Sequence, residues 1–292
     1  MKRPIGMQGY LKASAKFATT EGVAKGLAFR PDPTDIFVTP YAKCGTTWMQ
    51  QIVHGLRTGG SMAFSEITEV VPWIELAHDI GLDPEAPQPA LPRAYKSHLS
   101  WDDIPKGGRY IVVLRDPLDA FLSLYRYMEG WFFETGSVSI DAFATYYLNR
   151  PHNESYWGHA TSWYGQRGND TVLLVSFEEM KQNLRPVVAH VARFMGLEAD
   201  AARVDIATQQ ASFAFMKAHP AQFDDHLVRQ GRDAACGLPP DAEVTKVSTG
   251  QVGRGGQMIT DEIRAAFERK WSETMGAQFG VKRYEDLTFS LT

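Results

Sequence analysis

The stretch Thr39-Pro40-Tyr41-Ala42-Lys43-Cys44-Gly45-Thr46-Thr47-Trp48 limits the fold of this chain more than any other. An extended apolar run, Ile36-Phe37-Val38, leads into a short turn that carries Lys43 and Gly45. From Thr46 onward the apolar residues Trp48, Met49, Ile52, Val53 and Leu56 recur at helical spacing, so the segment reads as strand, loop, helix. A loop of this kind aims backbone N–H groups and the positive end of a helix dipole at one spot. Lys43, Thr46 and Thr47 add a cation and two hydroxyls there, a set suited to a phosphate. The loop differs from the GxxxxGKS/T pattern, because its lysine comes before the only glycine.

The same alternation continues along the chain. Residues 8–26 read as a surface helix, 27–35 as a connector, 72–80 as a helical piece, and 81–92, with four prolines, as loop. Arg93-Ala94-Tyr95-Lys96-Ser97 reads as a short strand ending at His98. Tyr110-Ile111-Val112-Val113-Leu114 and Val172-Leu173-Leu174-Val175 are continuous apolar runs, the pattern of parallel strands buried on both faces. Each is followed by helical spacing, from about residue 117 and again through Leu184, Val187, Val188, Val191 and Phe194 to a capping Gly196. The expectation is one α/β domain over 1–292, a central parallel sheet flanked by helices. Residues 39–47, 96–98 and 115–116 then meet beyond the carboxyl ends of the strands, where ligands bind. Residues 1–30 make an N-terminal helical extension. Residues 219–256, rich in Gly, Asp and charge, read as a partly helical insertion and covering loop, mobile without ligand.

Composition narrows the partners. A net charge of −4 argues against a general nucleic-acid binder, so any anion site is local. Cys44 and Cys236 form no CxxC pair and no zinc spacing, which suits a reducing cytoplasm. Met1-Lys2-Arg3 is followed by no apolar signal region, and no run is long enough to span a membrane.

Two further clusters carry chemistry. Arg115 stands just past a buried strand, and Ser123 shares its face two helical turns on, so the pair can grip a second phosphate. Taken alone, the same residues read more simply as a strand-end arginine and a helix serine. His98 lies between the two candidate phosphate sites, and imidazole suits proton removal near neutral pH.

The loop 39–48 resembles the 5′-phosphosulfate-binding loop of the cytosolic sulfotransferase family, TYPKSGTTW. Arg115 to Tyr125 resembles the family's 3′-phosphate signature RNPKDxxxSxY, with Arg115, Asp119, Ser123 and Tyr125 at matching spacing. Tyr95-Lys96-Ser97-His98-Leu99 resembles KTHLP, whose histidine is the catalytic base and whose lysine sits beside the transferring group. Ala211-Ser212-Phe213 resembles TSF, which packs on adenine, with Trp48 as the other wall. Phe177 falls where many members have a tyrosine near the base, and lacks its hydroxyl. Gly250-Gln251-Val252-Gly253 resembles the GxxG of a C-terminal nucleotide loop, but Ser248 and Thr249 replace the usual Arg and Lys, with Arg254, ahead of Lys246, as the candidate to compensate.

The resemblance runs from about residue 36 to 275, leaving 1–30 and 219–247 outside. It implies a P-loop-like sulfotransferase fold and transfer of a sulfuryl group from 3′-phosphoadenosine 5′-phosphosulfate to a hydroxyl or amine on a small acceptor, without a metal. By it, Lys43, Cys44, Gly45, Thr46, Thr47 and Trp48 hold the donor, Lys43 and Lys96 act beside the reacting groups, and His98 is the base. Trp131-Phe132-Phe133, Tyr146, Tyr147 and Tyr156 hint at an apolar or aromatic acceptor pocket, and His159 is a secondary acceptor-side candidate. The alternatives are a small-molecule kinase, with Asp116 as its Mg²⁺ carboxylate, and a non-catalytic nucleotide-binding relative. Oligomeric state stays open.

Overall fold

A computed structural model describes residues 2–240 and 259–289; Ser248, Thr249, Gly250 and Arg254 lie outside them. Four parallel strands make one sheet in the order β2-β1-β3-β4. They are β1 (Ile36–Val38), β2 (Ala94–Lys96), β3 (Arg109–Leu114) and β4 (Val172–Ser176). Each strand is an apolar run, and the two-residue period of the pleat sorts it onto two faces. Phe37, Tyr95, Tyr110, Val112 and Leu174 enter one core; Ile36, Val38, Ala94, Ile111, Val113 and Val175 enter the other. On the first face Phe37 stacks between Tyr95, at 5.3 Å, and Tyr110, at 5.4 Å.

The chain begins with α1 (Gly6–Ser14) and α2 (Thr20–Leu27); α3 (Thr46–Thr58) and α4 (Ile67–Val70) follow β1. Next come α5 (Pro117–Glu129), α6 (Ile140–Leu148) and α7 (Tyr156–Tyr164) between β3 and β4. After β4 stand α8 (Phe177–Gln182), α9 (Leu184–Phe194), α10 (Ala201–Gln210), α11 (Phe213–Ala218), α12 (His226–Cys236) and α13 (Asp261–Trp271). The second core is closed by α3, α9 and α10, whose Ile52, Val53, Val187, Val191 and Ala207 are fully buried. The first core is aromatic and is closed by α5, α6, α7 and α13.

Three segments differ from the sequence reading. Residues 8–26 are two helices, not one surface helix: α1 and α2 are separated at 15–19, and Tyr10, 4% exposed, packs edge-on to Phe132, Phe133, Phe143 and Tyr146. Residues 72–80 are helical only at a 3₁₀ turn, His78–Ile80, because Pro72 to Ile74 instead pair with the edge of β2. Residues 220–238 are folded onto the core rather than forming a loose loop. There α12 buries Val228, and its Arg232 donates to the carbonyls of Phe17, at 2.7 Å, and Lys16, at 2.6 Å.

Candidate active site

The loop after β1 turns through two left-handed residues, Lys43 at φ 66° and Gly45 at φ 94°. Glycine is needed at position 45 twice over, since a Cβ there would be strained and would lie 3.0 Å from the Phe177 ring. The α3 ladder opens with Met49 N–H donating to Gly45 O at 3.0 Å, so the N–H groups of Thr46, Thr47 and Trp48 precede it. Thr46 Oγ1 is buried there with no hydrogen-bond partner among the described residues. A buried orphan hydroxyl at a helix N-terminus fits an anion. Cys44 is buried, and burial pushes its thiol up to about 12, so it packs rather than reacts.

Arg115 reaches this loop from the end of β3. Its Nη1 donates to Lys43 O at 2.9 Å, its guanidinium lies 4.4 Å from the Phe177 ring centre, and its Nε is buried without a partner among the described residues. Trp48 meets Phe177 edge-on at 5.6 Å and donates through Nε1 to Ala211 O at 2.7 Å. Contacts thus join the loop, Arg115, Phe177 and the Ala211-Ser212 arm. The Ser212 hydroxyl caps α11 by accepting from Phe215 N–H at 3.2 Å, while Phe213 is 44% exposed. Ser123 is half-buried on α5. Asp116 caps the same helix, accepting from Asp119 N–H at 2.9 Å, and burial pushes its carboxyl up to about 6.

The other end of the site is built around His98, just past β2. Its Nδ1 lies 2.7 Å from Pro40 O. A carbonyl can only accept, so Nδ1 carries the proton and the neutral ring keeps its lone pair on Nε2. Trp73 meets the His98 ring edge-on at 4.9 Å, and the buried Lys96 holds its ammonium 3.7 Å over Trp73. Lys43 Nζ lies 3.9 Å over Tyr127, whose hydroxyl donates to Asp225 at 2.8 Å. Phe17 faces Trp73, Trp131 and Phe132 at 5.8, 5.6 and 5.7 Å, so the N-terminal segment borders this end. Phe133, Tyr147 and Tyr156 are core residues.

His159, the secondary candidate, is buried with Nε2 3.1 Å from Thr39 O, and burial pushes its pKa down to about 3. It supports the loop from below. Asp224 is engaged by His226 at 2.8 Å and Arg229 at 3.2 Å. Sequence reasoning missed Trp73, Glu75 and Tyr127, which sit in segments without a motif. No local pattern marks them, since Pro72 at the start of 72–80 is as compatible with a first helical turn as with the pairing to β2 it makes.

The family profile for the sulfotransferase domain matches residues 33–279. Human sulfotransferase 1C2 is 26% identical over 216 residues, covering 70% of this chain and 72% of that protein. Amine sulfotransferase from Oryctolagus cuniculus is 27% identical, covering 87% and 84%. In fold, the chain is similar to mouse sulfotransferase SULT7A1 complexed with PAP, with a TM-score of 0.67, 19% identity and coverage of 90% and 92%. It is also similar to retinol dehydratase in a complex with retinol and PAP, with a TM-score of 0.69, 15% identity and coverage of 93% and 95%. With the profile spanning most of the chain, and the loop after β1, Arg115 and His98 gathered beyond the carboxyl ends of the strands, the protein belongs to the sulfotransferase family and is a sulfotransferase.

Proposed function

We propose that this protein transfers a sulfuryl group from 3′-phosphoadenosine 5′-phosphosulfate to a hydroxyl, or less often an amine, of a small apolar or aromatic acceptor. The observation that carries this reading is the 2.7 Å contact between His98 Nδ1 and Pro40 O. It ties the base to the same loop that holds Lys43 and the orphan Thr46 hydroxyl, so proton removal and leaving-group stabilisation share one rigid support. The donor fits the residues present: Thr46 Oγ1 and Arg115 Nε are buried polar atoms with no hydrogen-bond partner among the described residues. PAP in the similar structures supports the same nucleotide.

When bound, the donor supplies the sulfuryl group and a phosphate leaving group. The first-turn N–H groups of α3, with Thr46 and Thr47, hold the 5′ side, and Arg115 with Ser123 holds the 3′-phosphate. Trp48, Phe177, Ser212 and Phe213 flank the base. Lys43 neutralises charge on the departing oxygen, Lys96 attends the transferring group, and His98 Nε2 takes the acceptor's proton. Ser248, Thr249, Gly250 and Arg254 are assigned to the donor's 3′ side by sequence alone. Two buried free thiols, Cys44 and Cys236, favour a cytoplasmic setting.

The kinase alternative is weakened because the half-buried Asp116 already serves as a helix cap. The test is transfer of label from ³⁵S-labelled donor to phenols, aliphatic alcohols and amines, with and without excess EDTA. Labelled product in EDTA is expected; transfer of phosphate from ATP, restored by Mg²⁺, would instead favour a kinase.

A further inference from the structure

Residues 72–74 pair with the edge of β2 through a single bridge. Lys96 N–H donates to Pro72 O at 2.8 Å, Ile74 N–H donates to Lys96 O at 3.0 Å, and Trp73 bridges Lys96 in parallel register. The turn that follows brings Glu75 beside Ser97 and His98. One carboxylate oxygen, Oε1, accepts from the Ser97 hydroxyl at 3.0 Å and from the His98 backbone N–H at 2.8 Å. Glu75 is 8% exposed, and burial raises its carboxyl pKa even against the N–H of His98, which pulls it down. Burying a carboxyl is costly unless its oxygens find partners; Oε1 has two, while Oε2 is buried with none among the described residues. On the other side, Gly26 of α2 touches the Ile74 carbonyl so closely that any side chain there would collide with it.

We propose that Glu75 is a positioning residue for the base. By accepting the His98 N–H and the Ser97 hydroxyl on one buried oxygen, it fixes the backbone at His98. The imidazole Nδ1–H then stays on the Pro40 carbonyl, and Nε2 stays the basic nitrogen. The inference rests on the reading of His98 as the base. Glu75 acts as a hydrogen-bond acceptor, so a glutamine, which keeps an oxygen at that place, retains the effect, while alanine loses it.

The test uses the full chain labelled with ¹⁵N-histidine, with the His98 signals assigned by their loss in His98→Ala. The wild type should show a single Nδ1–H tautomer at His98, Glu75→Gln should keep it, and Glu75→Ala should show a mixture. In transfer to 2-naphthol, Glu75→Ala should lower kcat by about 10- to 100-fold, the scale for a misplaced catalytic group. Its KM and its affinity for adenosine 3′,5′-bisphosphate should stay within about twofold. Added to His98→Ala, the same substitution should cost nothing more, because a residue acting through another is not additive with it. A single unchanged tautomer in Glu75→Ala, or a full additive loss in the double variant, overturns the proposal. So does a Glu75→Gln variant as impaired as Glu75→Ala. Should Glu75→Ala not fold, Glu75→Asp, which withdraws the oxygen by one methylene, asks the same question. If the wild type transfers no sulfuryl group yet the tautomer is lost in Glu75→Ala, the sulfotransferase mechanism fails while the positioning role stands.

Discussion

At the residue scale, two histidines stand 3.1 and 2.7 Å from neighbouring carbonyls of the same loop and have opposite fates. His98 is half-buried at the sheet edge, and His159 is sealed in the core. His98→Ala should lower turnover by about 10²–10⁴-fold while affinity for adenosine 3′,5′-bisphosphate is kept, because a general base contributes in the transition state and not to nucleotide binding. Near-wild-type turnover in that variant would move the base elsewhere. His159 and His54 matter for stability instead, since burial pushes them down to about 3 and about 4. With depressed pKa values they bind fewer protons folded than unfolded below pH 6.5, so their contribution is complete above that pH and drains as pH falls toward 4 and 3. Asp116, raised from 3.8 to about 6, has the opposite sign: its contribution is present at low pH and lost as pH rises through 6. The buried carboxyls Glu75 and Asp233, also raised, act in the same sense as Asp116, so the imidazole contribution is read by difference. On acidification from pH 7 to 4 the thermal midpoint of His159→Gln should fall less than that of the wild type, and an identical pH dependence in the two would contradict the assignment of His159.

At the element scale, the His98 end of the site is held by pieces far in sequence from the loop after β1 and from Arg115. The edge segment 72–76 is pressed from outside by α2, and α12 ties the α1–α2 connector through Arg232. Helix α12 also docks on α5, where Trp131 Nε1 donates to the buried Asp233 at 2.7 Å and Tyr127 donates to Asp225 at 2.8 Å. Gly26→Ala should test this arrangement. The new methyl group meets the Ile74 carbonyl, and relieving the clash must shift either α2 or the turn that carries Glu75. A loss of about 1–3 kcal/mol by denaturant titration is expected, as for overpacking elsewhere, with a fall in kcat alongside it. Parental stability and kcat together would show that α2 is not a brace for the site.

At the scale of the whole molecule, the two phosphate sites should act together on stability. Adenosine 3′,5′-bisphosphate at 100 times its Kd should stabilise the fold by about 2.7 kcal/mol and raise the thermal midpoint by several degrees. AMP at equal concentration should do much less, because Arg115 and Ser123 would lack their phosphate; equal shifts would reduce the second motif to a structural feature. Much of this molecule was readable from local pattern. The runs at 36–38, 110–114 and 172–175 have the pattern of buried parallel strands, and a lysine and glycine in a turn between a strand and a helix point to an anion loop. Such signals are legible because strand burial and turn geometry are decided within a few residues. Tertiary structure alone decided that Tyr10 and Phe17 belong to the aromatic core, that Trp73 bridges the edge of β2, and that α12 is packed down. It also decided that His98 and not His159 faces outward, and that Glu75 stands behind it. None of these follows from local spacing, because each rests on a partner tens of residues away or more: Phe17 on Trp131, Lys96 on Trp73, His98 on Pro40 and Glu75.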